Sequence, residues 1–200
     1  MILLGAIVIA LAVFQFFEYR IQTKQALAEA RTLIEPMPDG NFPSAVRAVP
    51  PDPRHDALAG RQKFKPEESD VLGVLEIPKI KAELPMIEGT DEEMLDRGVG
   101  HYSASALPLD GEQILLSGHR DTVFRNFAKL ELGDRFIVKL PYGTFEYEIS
   151  STEIVDKDDT SVIRSMGKEV LVVTTCYPFR YVGPAPQRYV VYADPVSSEG

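Results

Sequence analysis

Cysteine occurs once in these 200 residues, at Cys176, so no internal disulfide can staple the fold. Histidine is nearly as scarce, with three, and the one thiol and three imidazoles do not fall at zinc-ligand spacing. Positive charge is in deficit: 21 Lys and Arg against 30 Asp and Glu leave a net charge of −9. That balance argues against a nucleic-acid partner, which needs clustered Lys and Arg, and fits an outward-facing soluble domain. The acidic groups Asp91-Glu92-Glu93 and Asp156, Asp158 and Asp159 lack EF-hand spacing and read as solvated faces. There is no internal repeat, and no low-complexity tract beyond a proline-rich stretch. No metal and no cofactor is expected.

What is present begins with an apolar front. Residues 1–17 are apolar except for Gln15, and Glu18-Tyr19-Arg20 closes the run. This is the short end of a membrane-spanning length, and a signal anchor is the favoured reading. A cleaved signal peptide competes, because Ala10-Leu11-Ala12 resembles a cleavage site, but no charged n-region precedes the run. A helix buried in a soluble domain is disfavoured, because the segment has no polar face. Arg20 and Lys24 follow the span, so the positive-inside bias does not by itself place the rest of the chain outside.

Residues 18–35 carry Ile21, Ala26, Leu27, Ala30, Leu33 and Ile34 at helical spacing and extend the anchor as an amphipathic stalk. Residues 36–66 open with Pro36, Pro38, Pro43, Pro50, Pro51 and Pro53. Helix is not expected there, and an extended linker would hold the domain away from the bilayer. Residues 67–196 form the folded domain. Short apolar runs at 71–77, 82–87, 113–117, 135–140, 144–154, 170–175 and 188–193 alternate with Gly, Pro and Asp. Such spacing predicts a mainly β fold, a closed or nearly closed barrel. Two short helices interrupt it, at 91–97 behind Asp91 and at 122–129.

Three residues carry the candidate chemistry. Cys176 ends the buried run Val170-Leu171-Val172-Val173-Thr174-Thr175. Arg188 opens the next strand after a short loop, so thiol and guanidinium face one point if the two strands pair. His119 follows the apolar run Ile114-Leu115-Leu116 and precedes a helix, where an imidazole can project into a cleft. Each alone has a plain structural reading; their joint occurrence at strand ends points to acyl transfer. His55 lies in the linker and is read as solvated. A papain-like protease is disfavoured, because a strand rather than a helix start carries the cysteine.

The run Thr174-Thr175-Cys176-Tyr177-Pro178-Phe179, followed by Tyr181-Val182-Gly183-Pro184-Ala185-Pro186-Gln187-Arg188-Tyr189, resembles the signature of the sortases. Its details match the class D branch. Gly118-His119-Arg120-Asp121-Thr122, the turn Leu132-Gly133-Asp134 and Gly100-His101-Tyr102 follow the same pattern in the same order. The resemblance implies a sortase-type β-barrel behind an N-terminal membrane helix. It also implies a single-pass enzyme of a Gram-positive cell membrane, with its catalytic domain extracellular. Such an enzyme cleaves LPXTG-type sorting signals after the threonine and passes the threonine carboxyl to a peptidoglycan precursor or other cell-wall amine.

Under that resemblance Cys176 is the nucleophile that forms a thioester. His119 is the general acid and base. Arg188 stabilises the oxyanion, positions the substrate backbone, or does both. Ala82, Leu84 and Pro85 are expected to line the groove for the Leu-Pro portion of the signal, with Tyr177, Phe179 and Tyr181 at its rim. Thr175 either offers its hydroxyl to substrate or is a plain strand residue. Asp121 either orients His119 or caps the following helix, with capping favoured. His101 either meets the acceptor amine or is structural. Two alternatives stand beside cell-wall anchoring: pilin polymerisation, disfavoured because the linker lacks a clear lid signature, and a non-catalytic cell-surface binding module, which would need no thiol.

Overall fold

The run 170–175 is apolar at consecutive positions, which suits a strand covered on both faces. In the computed structural model it is β7 (Val170–Tyr177), a member of a closed barrel. The structure describes residues 2–35, 53–180 and 183–196, with side chains from residues 18 and 56 onward in the first two segments. The other strands are β1 (Val71–Ile77), β2 (Ala82–Glu88), β3 (Val99–His101), β4 (Gln113–Gly118), β5 (Arg135–Leu140), β6 (Gly143–Asp156) and β8 (Gln187–Pro195). They close in the order β1-β2-β3-β4-β7-β8-β6-β5. The pairs β2–β3 and β4–β7 are parallel and the rest are antiparallel.

Alternate residues point inward. Leu72, Leu75, Ile77, Ile114, Leu116, Phe136, Val138, Leu171, Val173 and Val191 meet in the interior, closed at one end by Phe124 and Phe127. Gly73 lets β1 press against β5: a Cβ there would lie 2.0 Å from the Lys139 carbonyl oxygen. The outer face of β4, β7 and β8 carries a second cluster, Leu115, Val172, Val190 and Tyr192, roofed by Val162 from the β6–β7 connection. Gln113 clips that roof down, its amide nitrogen donating to the Val162 carbonyl (2.8 Å) and its amide oxygen accepting from the Arg164 N–H (3.2 Å).

The front of the chain differs from expectation. Helix α1 runs unbroken from Ile2 to Ile34. Its far half does not stand off as a stalk but lies on the barrel. Ala26 and Ala30 are buried against Val71, Val74, Ile87 and Met94, small residues that allow close approach to the sheet. Arg31 pairs with Glu83 of β2. Among the described residues, no helix is long and apolar enough to cross a membrane; the side chains of residues 1–17 lie outside them.

The extended linker is corrected as well. Residues 53–63 form helix α2 (Pro53–Lys63), with Pro53 at its first position, where a missing N–H costs nothing. Gly60 and Phe64 seat this segment on Tyr142, and Arg61 donates to Asp110 at 2.6 Å. The remainder of the expected linker, residues 36–52, lies outside the described residues. Helix α3 (Glu92–Arg97) forms near where expected, although Asp91 makes no side-chain cap. The helix expected at 122–129 is instead a series of turns ending in a 3-10 segment, Phe127–Lys129. Bonds to the carbonyl three residues back, from the N–H groups of Thr122, Arg125, Phe127, Lys129 and Leu130, wind it tightly while Phe124 and Phe127 plug the barrel end, their ring centroids 4.4 Å apart.

Candidate active site

Strand register assembles the site. Along β4 and β7, Ser117 is paired with Thr174 and Gly118 with Thr175, so His119 leaves β4 beside Cys176. Along β7 and β8, Cys176 is the direct partner of Arg188. Directly opposed residues of an antiparallel pair project from the same face, with Cβ atoms about 5 Å apart. Parity then defines the face. Val172, Thr174 and Cys176 alternate outward with Leu115 and Ser117, and with Arg188, Val190 and Tyr192. The Ser117 and Thr174 hydroxyls, 2.9 Å apart, mark this outer face one step below the thiol. Cys176 is half-buried with a free thiol, and Arg188 is half-buried with one guanidinium nitrogen donating to the Gln187 carbonyl at 3.1 Å.

Gly118 fits the sharp turn that follows. A Cβ there would lie 2.5 Å from the Phe124 ring and 2.8 Å from Val123, because the chain folds straight back over it. The His119 carbonyl accepts from the Phe124 N–H at 3.1 Å and closes the turn. Its imidazole Nε2 lies 3.7 Å from a Glu92 carboxylate oxygen and 3.9 Å from one of Asp96, both on α3. The three groups could converge on a cation, their ligand atoms lying within 4.8 Å of one another. Glu92 belongs to the run read from sequence as a solvated acidic face. Nothing local to residues 91–93 signals its approach to His119, which depends on α3 crossing the end of β4.

Several expected site residues are placed elsewhere. Thr175 is 2% exposed and its hydroxyl donates to the Gly118 carbonyl at 2.7 Å, so it ties β7 to β4 and does not reach substrate. Ala82, Leu84 and Pro85 stand on β2, separated from β7 by β3 and β4. Leu84 belongs to the barrel interior, and Ala82 packs against it. These three therefore do not line the outer face below the thiol. That face is lined by Leu115, Val172, Val190 and Tyr192, with Val162 and Met166 from the β6–β7 connection. The signal for it was the unbroken apolar run of β7, whose outward half demands a cover.

Tyr177 and Phe179 point to the opposite side, where they form an aromatic box with Tyr189 at the barrel end. The Phe179 and Tyr189 centroids are 5.2 Å apart and those of Tyr177 and Phe179 are 5.4 Å apart. This corrects their expected place at a groove rim. Tyr181 lies outside the described residues. His101 is 2% exposed, with Nδ1 2.7 Å from Glu88 and Nε2 2.9 Å from the Ala106 carbonyl. It is a buried structural residue rather than a contact for an acceptor. Asp121 makes no cap; its exposed carboxylate accepts from Arg120 Nε at 3.3 Å.

A half-exposed thiol, an imidazole and a guanidinium on three adjacent strand ends can open an amide by nucleophilic attack. The sulfur adds to the carbonyl, the cation receives the oxyanion, and the ring moves the proton.

Comparison with known proteins bears on this arrangement. The model of the sortase domain family matches residues 75–196. Sortase D of Bacillus subtilis (strain 168) is 44% identical over 194 residues, 96% of this chain and 94% of that protein. Sortase A of Bacillus anthracis is 26% identical over 137 residues, covering 66% of this chain and 63% of that one. Among solved structures, the Clostridium perfringens Sortase D5 transpeptidase aligns with a TM-score of 0.67 at 22% identity, covering 88% of this chain and 99% of that chain. At that identity the likeness speaks for the fold alone. The catalytic domain of B. anthracis SrtD aligns at 35% identity and a TM-score of 0.57, over 67% of this chain and 92% of that one. With the family match over the barrel and the class D relative over nearly the whole length, this chain belongs to the sortase family, in its class D, and is a cysteine transpeptidase.

Proposed function

We propose that this enzyme cleaves LPXTG-type sorting signals after their threonine and transfers the threonine carboxyl to an amine of the cell wall. Cys176, His119 and Arg188 are the catalytic residues. The single observation that carries the reading is the register of β4, β7 and β8, in which Cys176 opposes Arg188 and Thr175 is paired with the residue before His119.

The Cys176 thiolate attacks the threonine carbonyl carbon, and the displaced electron pair makes an oxyanion. Arg188 donates to that oxyanion. The intermediate collapses as His119 delivers its proton to the departing amine, leaving the threonine as a thioester on Cys176. An acceptor amine then attacks the thioester and gives its proton to His119. Collapse forms the new amide and returns the thiolate. Splitting one amide exchange into two acyl transfers needs no metal in either step.

Residues 1–17 anchor the enzyme in the cell membrane as a single span, with the barrel outside. The continuity of α1 supports this: its 33 residues extend about 50 Å, so the apolar front and the docked half form one rod.

The test uses the detergent-solubilised full chain with a peptide library and an amine acceptor, read by mass spectrometry. A thioester on Cys176, cleavage after threonine and loss of both in Cys176→Ala are expected. Turnover retained in Cys176→Ala would overturn the reading. Transfer only to a protein lysine would reassign the enzyme to pilin polymerisation. Peptide bound but never cut would make it a binding module.

A further inference from the structure

The strand ladder that aligns the site stops one residue short of it. The last β4–β7 pair is Gly118 with Thr175, and the Thr175 hydroxyl bonds to the Gly118 carbonyl. Beyond that pair, among the described residues, the histidine turn and the cysteine loop share no sheet hydrogen bonds. The next tie between them is Arg120. Its side chain is only 6% exposed although it carries a full charge. One guanidinium nitrogen donates to the Pro178 carbonyl at 2.9 Å and another to the Gly183 carbonyl at 3.2 Å, while Nε donates to Asp121 at 3.3 Å. Pro178 is two residues past the nucleophile and Gly183 is five before Arg188.

A buried cation is costly unless its donors are used, and a rigid fork meets separated carbonyls as no single-point donor can. The chain spends such a group on two carbonyls of one loop, from the residue adjoining His119. The two carbonyls flank the loop that joins the nucleophile to the opposing guanidinium, and the described partners of Arg120 are backbone carbonyls and the Asp121 carboxylate.

We infer that Arg120 is a positioning residue, clamping Pro178 and Gly183 to the histidine turn so that Cys176, His119 and Arg188 keep the spacing that acyl transfer requires. This rests on the roles proposed above for those three. An error of about 1 Å in such a site costs on the order of 100-fold in rate, so loss of the clamp should be read in catalysis before folding.

The test compares Arg120→Lys and Arg120→Gln with the full-length parent, using thioester burst amplitude to count competent sites. Per competent site, kcat is expected to fall roughly 10- to 100-fold in Arg120→Lys and at least as far in Arg120→Gln, with KM changing less than threefold. In labelled Arg120→Lys, backbone amide shifts should move at 176–188 and stay fixed across β1, β2 and β5. Arg120 variants that melt earlier but keep the parent kcat per competent site would reduce the residue to a structural one and overturn the inference. Should Arg120→Gln not fold, Arg120→Lys alone decides. An active Cys176→Ala would instead strike the catalytic assignment, and the two failures are separable.

Discussion

Arg188 illustrates how much one side chain's shape decides. It stands opposite Cys176 on a neighbouring strand, and under the proposed mechanism its fork serves the oxygen of the carbonyl that the sulfur attacks. Lysine would keep the charge and lose the planar pair of donors. Removing an oxyanion donor typically costs 100- to 1,000-fold, so Arg188→Lys should slow thioester formation by about that factor at saturating peptide. Rapid-quench mass spectrometry measures the step directly, and an unchanged burst rate would remove the guanidinium from the transition state. Thr175 is the contrasting neighbour. It adjoins the nucleophile in sequence, yet strand parity turns it inward and its hydroxyl is already bonded to Gly118.

Among elements, α1 departs furthest from what its composition suggests. Two alanines and the ion pair of Arg31 with Glu83 dock it on β1 and β2. The hydrogen bond from Arg31 is the main reason the Glu83 carboxyl is held below its ordinary value of 4.5. A depressed folded value means that the contribution is complete above that ordinary value and is lost as pH falls through the folded one. Docking of the 24–34 stretch should therefore loosen on acidification below about pH 4.5. Amide protection factors, corrected for intrinsic exchange, should fall in that stretch between pH 6 and 3.5 while β7 stays protected. The drop should be absent in Arg31→Gln, which begins from the loosened level. Equal protection at both pH values in the parent would show that the alanine contacts alone hold the helix. The β6–β7 connection follows the same logic without charge, a roof whose Val162 fills the outer face of β7 and whose height is set by Gln113.

For the whole molecule, the docked helix makes the apolar front and the barrel continuous. An apolar strip of the barrel is at stake: Val71, Val74, Ile87 and Met94 are buried beneath α1. A chain lacking residues 1–35 should retain the barrel's far-ultraviolet signature, melt at a lower temperature and self-associate through the uncovered strip. A chain lacking only residues 1–17 should keep the signature, melt as the parent does and not self-associate through that strip. Thermal melting with size-exclusion chromatography tests both, and a monodisperse shorter chain with an unchanged melting point would mean that α1 contributes nothing to the fold.

The composition, the alternation of the runs and the order of the motifs determined that this is a β-barrel with a thiol, an imidazole and a guanidinium at strand ends, because each of those signals is carried by a short consecutive stretch. β3 escaped that reading, since the three residues Val99–His101 carry too little periodicity to register. The helix at 53–63 escaped it because the prolines before it dominated the local signal. What lines the face beneath the thiol, which carboxylates approach His119, which carbonyls Arg120 clamps and where α1 rests were decided only by tertiary structure. Each of those contacts joins residues about 20 or more positions apart, or depends on the face to which a strand turns. Closure of the barrel and the register of its strands set both, and neither is written in any local stretch of sequence.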